Sequence, residues 1–166
     1  MAITYEQIAT TTTVGTSTAT ISFTGIAASW TNLRISMSGV TAVAGGMPML
    51  RFNTDTGANY NISEFVGSGS TITGYGWQST ASPYIGGYGA WSLTNSSTAL
   101  IDIFDYAGSK YKHSLTSSAQ VYASPYLIGS CIVWRNTAAI TSIQLTMFSG
   151  NYGNGVIASL YGIKAA

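Results

Sequence analysis

Residues 18–24, Thr-Ala-Thr-Ile-Ser-Phe-Thr, set Ala19, Ile21 and Phe23 against Thr20, Ser22 and Thr24 with a period of two. That period marks a pleated strand with one face in a core and the other outside. Residues 32–38 repeat it, with Leu33, Ile35 and Met37 inward and Arg34, Ser36 and Ser38 outward, and residues 141–146 repeat it around Ile143 and Leu145. Further strand-like runs fall at 3–10, 48–53, 62–66, 91–93, 98–106, 111–116, 120–122, 127–134 and 156–163, separated by Gly, Ser and Asn clusters. No run carries a sustained apolar stripe of period 3.6, so any helix is expected to be a single turn. About a dozen short strands at this spacing predict an all-β chain, an antiparallel β-sandwich of jelly-roll or related Greek-key type.

Composition agrees with that class and removes several functions. The 166 residues are 46% hydrophobic, 12% aromatic and only 7% charged, against about 25% charged in an average soluble domain. Ser and Thr, about a quarter of the chain, replace the missing charges, and Tyr, Trp, Val and Ile favour a half-buried pleated surface. The length predicts one domain over 1–166, opened by a short N-terminal arm of residues 1–7. Six basic against five acidic residues leave a net charge of +1, without the electrostatic footprint that nucleic acid requires. Mean hydropathy is positive, +0.25, yet no run reaches the roughly 18 apolar residues of a spanning helix, so membrane insertion is not expected. Residues 1–9 lack the basic and apolar regions of a secretory signal, which predicts use without export by that route. A near-neutral surface with so few charges tends to associate, so much of the exterior is expected to be covered in use.

Catalytic patterns are sparse. His113, in Lys-Tyr-Lys-His, reads as a surface residue of a strand, and Cys131, in Gly-Ser-Cys-Ile-Val-Trp, as a buried structural thiol. There is no Gly-x-Ser-x-Gly elbow, dinucleotide fingerprint or phosphate loop. Asp102 and Asp105, three apart on an extended strand, tend to opposite faces and do not form the paired carboxylates of a glycosidase. Asn53-Thr-Asp55-Thr-Gly57, with Glu64 beyond it, faintly matches a calcium loop. It has Ala58 where the turn needs glycine and too few carboxylates, so it is expected to be a turn held by Asn and Asp side chains. Asn61-Ile-Ser63 and Asn95-Ser-Ser97 match the glycosylation pattern but, without a secretory signal, indicate nothing. The expectation is a protein with no catalytic residues, no metal and no cofactor. Arg34, Arg51 and Arg135 are expected on strand faces, paired with the few carboxylates.

Residues 67–89 stand apart because glycine alternates there with Tyr and Trp. One reading is a long hairpin whose tyrosines cover a sheet. The other is a contact surface, since Tyr and Trp supply large area at small entropic cost and Gly and Ser let the backbone adapt. On that second reading Tyr75, Trp77, Tyr84, Tyr88 and Trp91 are the expected interface residues, with the N-terminal arm strapped onto a neighbour's edge strand. Residues 150–155, Gly-Asn-Tyr-Gly-Asn-Gly, read as a hairpin tip.

Leu50-Arg-Phe-Asn-Thr-Asp-Thr-Gly-Ala-Asn-Tyr60 resembles a segment of small virion structural proteins of tailed bacteriophages, including those of cyanobacterial and marine hosts. Ile101-Asp-Ile-Phe-Asp-Tyr106 with Lys110-Tyr-Lys112, residues 134–143, and Ser149-Gly-Asn-Tyr152 followed by Leu160-Tyr-Gly-Ile-Lys164 fall in the order those proteins show. The resemblance runs from about residue 30 to the end and is weakest over 67–89. It implies a non-enzymatic, oligomeric virion component, assembled in the host cytoplasm. A single sandwich without coiled coil or collagen-like repeat suits a capsid decoration or cement protein. Such a protein would be a homotrimer at a local threefold axis, in contact with the major capsid protein. The rival expectation is a tail-fibre, tail-tip or head-fibre module that reads a host-surface glycan or protein, with Asn151, Tyr152 and Asn154 as its contact loop.

Overall fold

The computed structural model describes residues 4–43, 46–86, 95–121 and 125–164. Alternation dictates its elements, since a chain with so few helix-surface residues satisfies its backbone by strand pairing. In chain order the strands are β1 (Thr4–Thr12), β2 (Thr20–Thr24), β3 (Asn32–Val40), β4 (Ala42–Val43), β5 (Pro48–Phe52), β6 (Tyr60–Ser68) and β7 (Thr71–Thr80). They continue with β8 (Ser97–Phe104), β9 (Lys112–Val121), β10 (Pro125–Trp134), β11 (Ser142–Met147), β12 (Asn151–Tyr152) and β13 (Ile157–Lys164). The described residues contain no helix. Eight strands form one antiparallel sheet in the order β1-β13-β3-β8-β9-β10-β6-β7, three form a second in the order β2-β11-β5, and β4 pairs with β12.

The all-β sandwich expected from the alternation is what forms. Leu33, Ile35 and Met37 of β3, Ile101 and Ile103 of β8, and Ile132 and Trp134 of β10 are buried in one cluster with Ile21, Phe23, Leu50, Phe52, Ile143 and Leu145 of the smaller sheet. Each such side chain contributes about 1.5–3 kcal/mol by leaving water. At one end Phe52 meets the Trp134 ring at 5.7 Å and the Tyr60 ring at 6.4 Å.

Several elements differ in extent from the alternation. Runs 111–116 and 120–122 merge into the single strand β9, as far as residue 121. Residues 91–93 and Tyr122 lie outside the described residues. Residues 4–7, expected as an arm onto a neighbour, instead open β1, with Thr4, Tyr5, Glu6 and Gln7 opposite Lys164, Ile163, Gly162 and Tyr161. Side chains lock that docking: the Tyr5 and Tyr161 rings stack at 4.7 Å and the Arg34 guanidinium lies 5.9 Å from the Tyr5 ring centre.

Three strands at about 4.8 Å spacing cannot cover eight. The segment after β7 extends the smaller sheet at its β5 edge, where Leu50 N donates to Pro83 O at 2.8 Å, Ile85 N donates to Pro48 O at 2.9 Å, and Met49 bridges Tyr84. Ile85 is thereby buried.

Lys112 opens β9 with its whole side chain buried. Its Nζ donates to Gly108 O at 2.6 Å, to Lys110 O, and to Thr137 O at 3.3 Å. Burial lowers its pKa from the usual 10.5, and the charge of Asp105 opposes this in part. The ammonium therefore acts as a clamp on two loops, using carbonyls that would otherwise lack donors. Lys112→Met should cost about 2–4 kcal/mol in urea unfolding. Lys110→Met, at an exposed position, should stay within about 0.5 kcal/mol.

Candidate interaction surface

Strand β9 runs through the middle of the large sheet with its polarity reversed. Lys112, Ser114, Thr116, Ser118 and Gln120 are buried, whereas His113, Leu115, Ser117, Ala119 and Val121 are exposed. Its neighbours impose this phase: Ser114 lies level with Ile103 and Ile132, both core residues, so every second residue of β9 faces the smaller sheet whatever its chemistry. Some of the inward polar groups find local partners, while Thr116 Oγ1 has none among the described residues. Ser114 Oγ donates to Ile132 O at 3.3 Å, and Gln120 Nε2 donates to Gly86 O at 3.1 Å. Strand β6 keeps Tyr60, Ile62 and Val66 inward but is inverted at one pair: Glu64 is buried and accepts from Ser130 Oγ at 3.0 Å, while Phe65 beside it is exposed.

The outer face of the large sheet consequently carries the apolar side chains. Leu115 is 52% and Leu127 60% exposed, with Phe65 and Val121 near them. Small residues between them leave two grooves. One, of about 290 Å³, lies among Ser36, Leu100, Ser117, Ala119 and Leu127. The other, of about 430 Å³, lies among Ser63, Phe65, Leu115, Gly129 and Cys131. Gly129 serves as a floor: a Cβ there would fall 2.4 Å from the Phe65 ring. Among the outward residues of β8, β9, β10 and β6 the one carboxylate is Asp102, neutralised by a two-pronged pair with Arg34 at 2.6 and 2.8 Å. Those four strands thus present no carboxylate, Lys or Arg outward other than Asp102 in its pair with Arg34.

Three of the aromatic residues singled out above come together at the β7 side. The Tyr75 and Trp77 rings stack at 6.1 Å, Trp77 meets Tyr84 edge-on at 6.3 Å, and Tyr84 meets Phe148 edge-on at 5.5 Å. This ladder closes the gap between β7 and the extended smaller sheet, and Phe148, which no local pattern flagged, completes it. Tyr88 and Trp91 lie outside the described residues. Residues 67–80 form the hairpin of β6 and β7.

The contact loop expected at Asn151, Tyr152 and Asn154 is not assembled as a surface patch. Tyr152 is fully buried, its hydroxyl has no hydrogen-bond partner among the described residues, and burial pushes its pKa up. Pairing of Asn151 and Tyr152 with Val43 and Ala42 explains this, because the backbone is fixed as β12 rather than left as a hairpin tip. Asn154 stays exposed, its Oδ1 accepting from Gly15 N at 2.8 Å.

His113 is exposed on β9. Cys131, expected to be buried, is a half-exposed free thiol on the outer face, level with Leu115 and Ser63. Asp102 is on β8, whereas Asp105 follows it in a turn with φ 47°. Of the three arginines only Arg34 pairs with a carboxylate; Arg51 and Arg135 donate to the carbonyls of Ala81 and Ala58. Among the described residues, no three His, Cys, Asp or Glu side chains converge as metal ligands.

The loop from Phe52 to Tyr60 is a polar staple. Asn53 and Thr54 take φ 49° and 59°, and Asn53 Oδ1 accepts from Thr141 N and Ser142 N at 2.8 and 3.1 Å. Asp55 accepts from Trp134 Nε1 at 2.7 Å, Gly57 N at 2.8 Å and Asn59 Nδ2 at 2.9 Å. Its carboxylate is consumed by these donors, as expected for a turn rather than a calcium loop.

No protein-family model matches the chain, and no curated protein or solved structure is significantly similar to it. Burial alone would raise the Asp55 pKa. The hydrogen bonds from Trp134, Asn59 and Gly57, with the charge of Arg51, outweigh that and hold it below the ordinary 3.8. The stabilisation is therefore complete above pH 3.8 and disappears as pH falls through the lower folded-state value. Asp55→Asn should be less stable than the parent by about 1–3 kcal/mol near neutrality. The two urea-unfolding curves should converge below about pH 3.8.

Proposed function

We propose that this chain is a non-enzymatic structural subunit of a tailed-bacteriophage virion, a decoration or cement protein that binds the shell through the outer face of its eight-stranded sheet. The reversed polarity of β9 carries the reading. A sheet that faces water places Leu and Val inward and Ser, Thr and Gln outward. Here the inward positions of β9 are polar, and Leu115 and Val121 of β9, with Leu127 of β10 and Phe65 of β6, face out, which is favourable when the outer face is covered. The scarcity of charge fits the same use, because few ions need desolvation on contact.

The energetics suit a repeated contact. At roughly 25 cal/mol per Å², about 400 Å² of apolar area removed from water yields about 10 kcal/mol gross. That is comparable with the roughly 4–15 kcal/mol cost of association. A contact of this kind is modest for one copy and effective when an ordered shell supplies many. The rival reading, recognition of a host glycan, loses the patch named for it, since Tyr152 is a core residue.

Particle reconstruction of virions containing the chain should place its density on the shell with β8, β9 and β10 against the capsid. Density at the tail tip, or with that face exposed to solvent, would refute the proposal. Leu115→Asp with Leu127→Asp should leave the far-ultraviolet spectrum unchanged and abolish binding to particles stripped of the protein. Those particles should then break at lower temperature and under milder osmotic shock; equal resistance would also refute it.

A further inference from the structure

Strand β7 ends the eight-stranded sheet, and among the described residues no strand pairs with its other edge. Its ten residues, Thr-Ile-Thr-Gly-Tyr-Gly-Trp-Gln-Ser-Thr, contain no charge and no proline. Long uncharged edges are templates for another chain, and proteins that do not use them usually block them with charges, prolines or bulges. The register of β7 with β6 is regular from Thr71 to Trp77, its shift falling beyond Trp77 beside Ser79 at φ 51°, whereas the opposite edge strand β1 carries Glu6 and a shift in mid-strand, between Gln7 and Ala9.

Gly74 and Gly76 point to what fills the β7 edge. Glycine weakens a strand interior, and usually a bend, a positive φ or a close neighbour explains it. None of these applies within the regular stretch Thr71–Trp77, since the register shift of β7 falls beyond Trp77. Neither residue has positive φ, and a Cβ would come no nearer than 3.9 Å to Glu64 O at Gly74 or 3.6 Å to Ile62 O at Gly76. Meanwhile Ile72, on the same face of the strand, is 77% exposed. The chain thus holds an unexplained gap and an uncovered side chain four residues apart on one edge.

We propose that β7 pairs antiparallel with β7 of a second copy about a twofold axis at Gly74. In this register Ile72 of each copy lies opposite Gly76 of the other, so each isoleucine covers a glycine gap. Thr73 lies opposite Tyr75 and Thr71 opposite Trp77, aromatic and β-branched pairs that stabilise antiparallel ladders. Two copies bury both edges in a closed, isologous dimer with a continuous sheet. A threefold ring would need β7 against β1, where Glu6 and the bulge intervene. The pairing belongs to the isolated protein and needs no virion, so it stands or falls apart from the shell-binding role.

Sedimentation of the full chain should give twice the 17.3 kDa chain mass. Ile72→Lys should give the monomer mass with an unchanged far-ultraviolet spectrum, since the position is exposed. Gly76→Val should raise the melting temperature of the monomer by about 2–5 °C through better strand propensity, yet weaken the dimer about tenfold or more by filling the gap. In a Cys131→Ser background, Ile72→Cys with Gly76→Cys should form intermolecular disulfides in oxidised glutathione. Ile72→Cys with Gln78→Cys, which requires a register two residues away, should not. A wild-type monomer, a threefold mass, a dimer indifferent to Ile72→Lys and Gly76→Val, or crosslinking of the 72/78 pair in place of 72/76 would each overturn the proposal.

Discussion

The backbone ladder of β9 between β8 and β10 constrains everything around it. Its partners are bound to the core through Ile101, Ile103, Ile132 and Trp134. With a side-chain period of two, β9 has only one phase available, because a slip of one residue would turn every side chain over. That phase sends Ser114, Thr116, Ser118 and Gln120 inward and Leu115 outward. Hydrogen bonds to Ile132 O and Gly86 O offset part of the cost of the buried polar atoms. Nothing within the described chain offsets the exposure of Leu115 and Leu127, and that asymmetry is the basis for assigning the outer face a partner.

The rest of the molecule accommodates the same sheet. Because eight strands are wider than three, the segment after β7 crosses to lengthen the smaller sheet, and the ladder from Tyr75 to Phe148 spans the join. At the opposite end the Asp55 staple and the Lys112 clamp replace apolar packing with short polar contacts to backbone and indole. Both put a rare charged residue to structural use, which leaves few for the surface. An exterior so poor in charge fits the partners proposed for its face and its β7 edge.

Much of this was legible in the residue order. Alternation in 18–24, 32–38 and 141–146 places Ile21, Phe23, Leu33, Ile35, Met37, Ile143 and Leu145 in the core, where all of them are buried, whereas Ala19, set on the same face, precedes β2 and is exposed. The Asn and Asp content of 53–57 signals the turn that forms. Glycine between aromatics in 67–89 indicates a hairpin, whereas the packing of Tyr75, Trp77 and Tyr84 on one another comes from the tertiary structure. Tyr152 and the arm were harder, because a two-residue ladder and an edge strand depend on segments more than a hundred residues away, Ala42–Val43 and Tyr161–Lys164.

Read as a string of residues, the chain establishes an all-β sandwich, its alternating core strands and its lack of surface charge, since these follow from local periodicity and composition. The direction in which β9 points was decided only in three dimensions. A run such as Ser-Leu-Thr-Ser-Ser-Ala-Gln-Val has an unambiguous period but an ambiguous sign. The sign is set by the neighbours to which its amides and carbonyls are bonded. The same holds for the outer edge of β7, with which no described strand pairs, a property of the assembled sheet rather than of any one strand.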